Sequence, residues 1–404
     1  MLTRTLFVRS LLMVAMLCLA SHAVRADSRA ERTSQISTFS GDNRNPATAS
    51  TSDGRMGVVA WDGLDASGQR RIFLREHRDG IWLPPTVVDS NRMGDNASPS
   101  VGVDPLGNVH VAWIGRGGGV SRVFLRSRIA GEWLDWGMVD GAPEKSEHSS
   151  GVVLRLDAGG RPWLAWEAGG VGNRYSIRAA HVGESGAIQV KDLTIDPLNY
   201  NILPEILFLP HPAVVWYAAV DNTFSLTGRV WDEPSGEWKS WQPGDAVASL
   251  PAERMPLLFS SGGGRLNAVW RDSTAPAADP DDTLPALERV MFAPLGNDSS
   301  LSSPLAVTAE FGVSTVTGSG HGAADVVAWS AESGAAGRQV FVAAREGSGE
   351  FEVPATVSDG NRQYYGSPSL AAFDAGALAA WCSSATEGGN GHVFATRVFL
   401  NAAE

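Results

Sequence analysis

The sequence predicts an all-β fold, a seven-bladed β-propeller of four-stranded antiparallel blades, from three observations. Small apolar runs ending in tryptophan recur at intervals of 52, 53, 50, 54, 59 and 52 residues. Glycine is abundant, at 45 of 404 residues, which is typical of short strands joined by tight turns. Helix-period apolar runs are scarce beyond the N-terminus. A chain of this length would otherwise suggest several domains, but a circular array grows by adding copies of one unit. The recurring tryptophans are Trp61, Trp113, Trp166, Trp216, Trp270, Trp329 and Trp381.

Residues 1–26 have the pattern of a secretory signal peptide. Arg4 and Arg9 give a positive start, residues 11–20 form a short apolar core, and Val24-Arg25-Ala26 offers a cleavage site. The apolar core is too short to span a bilayer. We therefore expect cleavage, a periplasmic or secreted protein, and no membrane span afterwards. Residues 27–33 form a polar leader, and residues 34–404 form the propeller.

Charge and cysteine content narrow the possible partners. The signal carries three arginines and no acid, so its removal changes the net charge from −12 to −15. An acidic chain lacks the basic surface that binds nucleic acid or anionic membranes. Cys382 is then the one remaining cysteine, so no internal disulfide is expected. Packing must supply the stability.

The second repeat shows the four-strand unit most clearly. Apolar runs at 99–103, 109–113, 122–126 and 133–139 are separated by turn signals, including Asp104-Pro105-Leu106-Gly107-Asn108. Ala112 directly precedes Trp113, and the same pair recurs in other repeats. Because side chains alternate faces along a strand, each blade presents an indole on one face and a methyl on the other. Neighbouring blades are expected to pack large against small.

The chain termini complement each other. The last repeat has strands near Ser369, at 377–381 and at 392–399, and then the chain ends. An isolated alternating strand at 35–39 precedes the first repeat. Pairing the two would complete the last blade and remove the open edges of the array. We therefore predict a ring closed by the N-terminal strand.

The recurring turn and strand motifs resemble bacterial propellers of the sialidase-like (BNR-like) superfamily. They are an Asp-x-x-Gly turn, an apolar strand ending in Trp, and a strand such as Arg71-Ile72-Phe73 or Arg122-Val123-Phe124. The regular Ser-x-Asp-x-Gly-x-x-Trp box and an early Arg-Ile-Pro segment are not present. The resemblance therefore implies the architecture, and sialidase-like hydrolase or lyase chemistry is kept as an alternative.

Features that recur in most repeats are interpreted as scaffold, since a ligand site rarely needs seven copies. The tryptophans are thus expected in the core. An arginine opening the third strand recurs, which favours a repeated contact with a neighbouring loop over a ring of cations for an acidic ligand. These arginines are Arg71, Arg122, Arg174, Arg289 and Arg338.

Unrepeated loop residues are better candidates for function, because rigid scaffolds carry function in their loops. The longer loops are expected at one rim, between fourth and first strands and between second and third. Three arginines there could converge on a carboxylate, as a sialidase-like site requires. Other loop groups could do acid–base or nucleophilic work on a glycan, or simply be surface residues. The candidates are Arg92, Arg254, Arg362, Tyr364, Tyr365, Glu144 and His148.

An insertion in the fifth repeat contains closely spaced carboxylates at Asp279, Asp281 and Asp282. Carboxylates suit calcium, but the spacing and glycine of a calcium loop are lacking, and a solvated acidic loop is the simpler interpretation. No other cofactor is expected.

These observations predict a monomeric binding protein whose long-loop rim takes a glycan, a peptide or an envelope protein. The alternatives are a sialidase-like glycan hydrolase or lyase, and a purely structural part of an envelope assembly. The choice of propeller rests on the repeats, whereas the choice of function rests on analogy between folds.

Overall fold

The computed structural model describes residues 30–38, 41–89, 93–140, 148–169, 175–183, 186–194, 200–209, 211–220, 223–241, 251, 254–262, 265–273, 287–295, 304–333, 337–358, 364–384 and 389–400. These residues are mostly β-strand and include no α-helix. Accordingly, none of them belongs to a helix that could cross a bilayer. The predicted signal peptide lies outside the described residues.

The first half of the chain forms antiparallel meanders, in which each strand pairs with the next. The strands are β1 Ser34–Gln35, β2 Asn43–Ser50, β3 Met56–Leu64, β4 Arg70–Arg78, β5 Ile81–Trp82, β6 Thr86–Val87, β7 Asp95–Val103, β8 Val109–Gly117, β9 Val120–Ile129, β10 Glu132–Met138, β11 His148–Leu156, β12 Pro162–Gly169, β13 Tyr175–Val182 and β14 Ile188–Asp192. One sheet contains β2 to β6 and another contains β7 to β14. Within the second sheet, two meanders meet at a single parallel pair, His148 with Ser121.

The second half continues the pattern. Its strands are β15 Tyr200–Leu209, β16 His211–Val220, β17 Thr223–Asp232, β18 Glu237–Ser240, β19 Leu257–Ser261, β20 Arg265–Ser273, β21 Leu287–Leu295, β22 Leu305–His321, β23 Ala324–Glu332, β24 Arg338–Glu346, β25 Ala355–Thr356, β26 Tyr364–Tyr365, β27 Ser369–Phe373, β28 Gly376–Ser384 and β29 His392–Phe399. Strands β15 to β18 form one sheet and β19 to β25 another. The long β22 pairs with β21 through its first half and with β23 through its second.

Each of the seven recurring tryptophans lies within its strand and not at its end, so the predicted strand ends were wrong by three or four residues. Strand β3 continues past Trp61 to Leu64, and β8 continues past Trp113 to Gly117. The added residues stay in the ladder, with Asp62 opposite Ile72 and Ile114 opposite Val123. In some strands a polar residue follows the tryptophan and interrupts the apolar run, as Asp62 and Glu167 do.

The tryptophans are core residues, as predicted, with at most 5% of each exposed. Each apolar cluster combines a tryptophan with the small residue that precedes the tryptophan of the meander before it, so large does pack against small. The pairs are Ala60 with Trp113, Ala112 with Trp166, Ala165 with Trp216, Val215 with Trp270, Val269 with Trp329, Ala328 with Trp381, and Ala380 with Trp61. The last pair joins the final meander to the first.

The N-terminal strand lies beside the last one. Ser34 and Gln35 pair antiparallel with Ala395 and Phe394. The Ile36 amide then donates to the Val393 carbonyl oxygen at 2.8 Å. Strand β1 is shorter than the predicted 35–39, and Phe39 lies outside the described residues. The Ile36 side chain is fully buried in the cluster that contains Trp61 and Ala380.

The first strands of the meanders surround a central cavity of about 480 Å³, here called the channel. The lining strands are β2, β7, β11, β15, β19, β22 and β27. Successive members contact each other, and β27 contacts β2. Fourth-to-first and second-to-third connections share one rim of the channel, called the mouth rim. The other connections form the opposite rim.

Candidate functional site

A β-bulge shapes the mouth-rim end of lining strands β2, β7, β11 and β15. The pairing register of β2 shifts between Arg44 and Ala47, and that of β7 shifts between Ala97 and Ser100. The same shift occurs in β11 and β15. A bulge bends its strand and re-aims the neighbouring side chains. Five residues at this position have a left-handed backbone: Asn45 (φ 50°), Ser98 (φ 52°), Gly151 (φ 59°), Leu203 (φ 55°) and Met255 (φ 45°).

In five meanders the residue after the tryptophan hydrogen-bonds to the next meander at the mouth rim. The Asp62 carboxylate accepts the Ser98 amide at 3.0 Å, and Glu167 accepts the Leu203 amide at 2.9 Å. Other positions use different chemistry for the same link. These are the Tyr217 hydroxyl to the Pro256 carbonyl at 2.6 Å, the Arg271 guanidinium to the Val313 carbonyl at 2.8 Å, and the Cys382 thiol to the Asn43 carbonyl at 2.9 Å. This position is structural, and its polar side chains ring the mouth.

A cavity of about 750 Å³, here called the mouth pocket, opens at this rim. Bulge residues from several meanders line it, and so do two arginines. The lining includes Asp42, Arg44, Asn45, Ser98, Gly151, Thr317, Arg338, Ser367, Ser369 and Cys382. Polar groups therefore converge on the pocket from opposite sides of the channel.

An ion-pair network supports one wall of the mouth pocket. The guanidinium of Arg70 bridges two carboxylates, at 3.0 Å to Asp42 and 2.7 Å to Asp62. Arg44 Nε adds a third contact, 2.6 Å from Asp42 Oδ2. Burial on its own would raise the pKa of Asp42, but hydrogen bonds from Arg44, the Gly391 amide and Arg70 outweigh it and hold the pKa below its usual range. Asp42 is thus a fixed anion that orients Arg44.

Two arginines present guanidinium groups to the pocket. The Arg44 side chain is 60% exposed and lines the pocket, while its Nε lies 2.6 Å from Asp42 Oδ2. Arg338 is 32% exposed, and its nearest carboxylate is Glu332 at 3.8 Å. Arginine binds carboxylate, sulfate or phosphate in a two-pronged geometry. The pocket can therefore hold an anionic group.

The Cys382 thiol lines the same pocket and is unsuited to nucleophilic work. Burial, followed by the nearby Asp42 carboxylate, raises its pKa to about 11. A thiol must ionise before it attacks or binds a metal. Cys382 therefore acts as a hydrogen-bond donor at this site.

The structure locates part of the predicted site. Arg92, Arg362, Glu144, Asp279, Asp281 and Asp282 lie outside the described residues. His148 is exposed at the start of β11, with Nδ1 3.4 Å from Ser121 Oγ. Arg254 lies near Asp272, at 3.6 Å, and does not line the mouth pocket. The backbone of Tyr364–Tyr365 pairs with Ser384 and Ser383, directly before the pocket-lining Gly366. No metal-binding group of three or more acidic, His or Cys side chains occurs in the described ranges.

Sequence reasoning missed Arg44 and assigned Arg338 to the scaffold. Arg71 does make the contact expected of a scaffold arginine, 2.7 Å from Asp89, whereas Arg338 lines the pocket. A signal for Arg44 exists in the sequence. Arg44-Asn45-Pro46 and Arg254-Met255-Pro256 share an Arg-x-Pro spacing, which places both arginines directly before a residue with positive φ.

Comparisons with known proteins find likeness in structure only. No protein-family model and no curated protein matches the chain. The solved polysaccharide lyase Uly1 matches with a TM-score of 0.58 at 9% identity, over 92% of this chain and 100% of its own. An ulvan lyase of polysaccharide lyase family PL25 matches with a TM-score of 0.56 at 12% identity, over 91% and 96%. The same TM-score is found for that enzyme bound to -[GlcA(1-4)Rha3S]-. A Trypanosoma rangeli sialidase matches at 8% identity over 88% and 55%, and its TM-score of 0.44 is too low to bear on the chemistry. These likenesses identify the fold as a β-propeller.

Proposed function

We propose that the protein binds an anionic glycan at the mouth pocket, through Arg44 and Arg338. The observation that carries this proposal is the Arg44 side chain, which is 60% exposed, lines the pocket and is held at Nε by Asp42. A donor fixed in this way loses little conformational freedom when a ligand binds. Carboxylate or sulfate groups on a sugar are the matching acceptors.

The size and lining of the pocket suit a carbohydrate. A cavity of about 750 Å³ lies within the usual range for small-ligand sites and would hold about two or three sugar rings. Hydroxyl-bearing side chains line it, including Ser98, Thr317 and Ser367. The solved ulvan lyase with this fold holds a uronate- and sulfate-bearing saccharide, which is an anionic glycan of the proposed class.

Direct contacts with the two arginines must attract the anionic glycan, because the net negative charge of the protein does not. The chain has a net charge of −12, so at long range it repels an anionic ligand. At physiological salt that field is screened beyond about 8 Å. Direct contacts at Arg44 and Arg338 then dominate, and losing one of them should have a large effect.

We infer that the propeller has seven blades and is closed by its N-terminal strand. Recurrent hydrogen bonds support this inference. The Ile36 amide donates to Val393 as Val88 donates to Ile72 and Leu193 to Ile177, so Ile36 takes the place of a fourth strand. Arg75 donates to the Ile36 carbonyl as Arg126 donates to that of Val88. The cluster of Ala380 with Trp61 supports the same closure.

We also infer export and a monomeric state. The pattern of residues 1–26 supports cleavage by a secretory pathway. A propeller closed by its own N-terminal strand has no incomplete blade that a strand from a second copy would have to fill. Outside the cytoplasm the protein would meet acidic polysaccharides directly.

Calorimetric titration of the mature chain, residues 27–404, with sulfated glucuronate–rhamnose oligosaccharides tests the proposal. The Arg44→Gln variant keeps a polar, though shorter, side chain and removes the charge, and we expect affinity to fall roughly tenfold or more, since one charge-assisted hydrogen bond contributes about 1.5–3 kcal/mol. Arg55→Gln is the matched control, because Arg55 is exposed beside Asp53 at the opposite rim. Equal affinity of both variants would refute the proposed role of Arg44.

Cleavage of the same glycan is a second candidate function. The likeness in fold to two solved polysaccharide lyases favours it. Tyr364 and Tyr365 come directly before the pocket-lining Gly366 in the chain and are the residues to test, because tyrosine can serve as an acid or base in glycan cleavage. Ultraviolet absorbance would detect an unsaturated uronate from a lyase, and a reducing-sugar assay would detect hydrolysis. Product formation that Tyr364→Phe and Tyr365→Phe together abolish would favour an enzyme over a binding protein.

A further inference from the structure

A second cavity, here called the side pocket, lies beside the mouth pocket and shares Gly151 and Val152 with it. Its volume is about 300 Å³. Three successive meanders supply its walls, which are mainly apolar, with Val153, Leu203, Val215, Leu226, Met255 and Leu258 among them. Two carboxylates, Glu167 and Glu205, also line it. An apolar cavity with a few convergent polar groups is the usual form of a small-molecule site.

The backbone at the side pocket holds apolar residues in an unfavourable conformation. At the recurring bulge, other meanders use Asn45, Ser98 or Gly151, which are small or polar. The meanders flanking the side pocket use Leu203 and Met255 with the same positive φ, although bulky side chains rarely adopt it. Leu203 is 53% exposed, so its side chain is not kept for the core. Contact with a ligand explains an apolar residue at this position.

The two carboxylates of the side pocket differ in their partners: an arginine neutralises one, and neutral hydrogen-bond donors contact the other. Arg155 neutralises Glu205, at 2.9 Å. Glu167 accepts hydrogen bonds from two neutral groups, the Ser150 hydroxyl at 2.8 Å and the Leu203 amide at 2.9 Å. Among the described residues no cation pairs with Glu167. Since a carboxylate has about four acceptor positions, room for further donors remains.

We propose that the side pocket binds a primary ammonium group attached to an apolar body, with Glu167 as its counter-ion. Tyr217 lines the cavity, and its hydroxyl is already committed to Pro256. An aromatic ring close to a carboxylate is favourable for an ammonium ion. A free arylalkylamine and the N-terminal residue of a peptide share this chemistry. This proposal does not rest on the proposed glycan site, although the two cavities adjoin at Gly151 and Val152.

Calorimetric titration of the mature chain with phenethylamine and with the neutral 2-phenylethanol tests the proposal. We expect the amine to bind at least about tenfold more tightly than the alcohol, and Glu167→Gln to remove this preference. The glutamine can still accept from the Leu203 amide, so the variant should fold. Glu233→Gln is the control, since Glu233 is exposed at the opposite rim. Equal affinity for amine and alcohol, or full amine affinity in Glu167→Gln, would overturn the proposal.

Two further arms identify the source of the ammonium group and the role of Leu203. Phenylalanyl-alanine amide binding, lost on N-acetylation, would assign the site to peptide N-termini, whereas binding of phenethylamine alone would assign it to free amines.

Leu203→Asn suits the left-handed backbone, so its melting temperature should equal or exceed that of the wild type while amine affinity falls several-fold. A lower melting temperature with unchanged amine affinity would contradict the ligand-contact role.

Discussion

The recurring tryptophans are all packed in the core, but they differ in the hydrogen bonds that their indole N–H groups make. Trp61, Trp113 and Trp216 each donate Nε1 to an asparagine two residues before a bulge, for example Trp113 to Asn96 Oδ1 at 3.1 Å. Among the described residues, Nε1 of Trp166 and of Trp329 is buried without a partner. A buried donor without a partner lowers stability, whereas a satisfied one contributes to it. The tryptophans are therefore alike in sequence but not in energetic role.

This difference predicts unequal costs for one substitution. Trp113→Phe leaves the buried Asn96 oxygen without its donor, whereas Trp329→Phe removes a donor that had no partner. Both variants lose similar apolar volume. We expect Trp113→Phe to lower the free energy of unfolding by roughly 1–3 kcal/mol more than Trp329→Phe. Urea unfolding of both variants gives the comparison, and equal losses would contradict it.

Among the elements, β1 joins the two ends of the chain. Its hydrogen bonds to β29 are few, but Ile36 fills the cluster between Trp61 and Ala380. Arg75 adds a hydrogen bond to the Ile36 carbonyl at 3.0 Å. A short strand can thus bind firmly, because packing and not ladder length holds it.

Removal of β1 is therefore expected to destabilise the whole molecule. A chain beginning at residue 39 lacks Ile36 and exposes the edge of β29, so we expect a loss of at least about 2–5 kcal/mol, as for other large core deletions. A chain beginning at residue 30 keeps β1 and serves as the control. Thermal and urea unfolding measure the difference. Identical unfolding of the two chains would exclude closure by β1.

The scaffold is more predictable from this sequence than the site. Repeated tryptophans, glycine turns and the isolated N-terminal strand report local packing, which each repeat specifies for itself. The mouth pocket depends on residues brought together from distant repeats, such as Arg44 and Arg338. Two residues that line this pocket with a left-handed backbone, Asn45 and Ser98, are not glycines, so no glycine in the sequence marks these positions. The recurrence of an arginine at the start of the third strand predicted a scaffold role for Arg338, but Arg338 lines the pocket.

At the scale of the whole molecule, we propose that the ligand binds at one end of the channel, the mouth. The lining strands are the innermost ones, so their channel-side amides lack ladder partners and exchange readily with solvent. A ligand at the mouth should slow exchange there without altering the opposite rim. This asymmetry distinguishes binding at the mouth from binding elsewhere on the ring.

Hydrogen–deuterium exchange of the mature chain, with and without saturating sulfated glucuronate–rhamnose oligosaccharide, is the most direct measurement. We expect protection in peptides covering residues 42–47 and 366–370, which border the mouth pocket. Peptides covering the opposite-rim turns at 51–55 and 104–108 should exchange at unchanged rates. Protection confined to the opposite rim or to the outer strands, or no protection at saturation, would contradict a ligand site at the channel mouth.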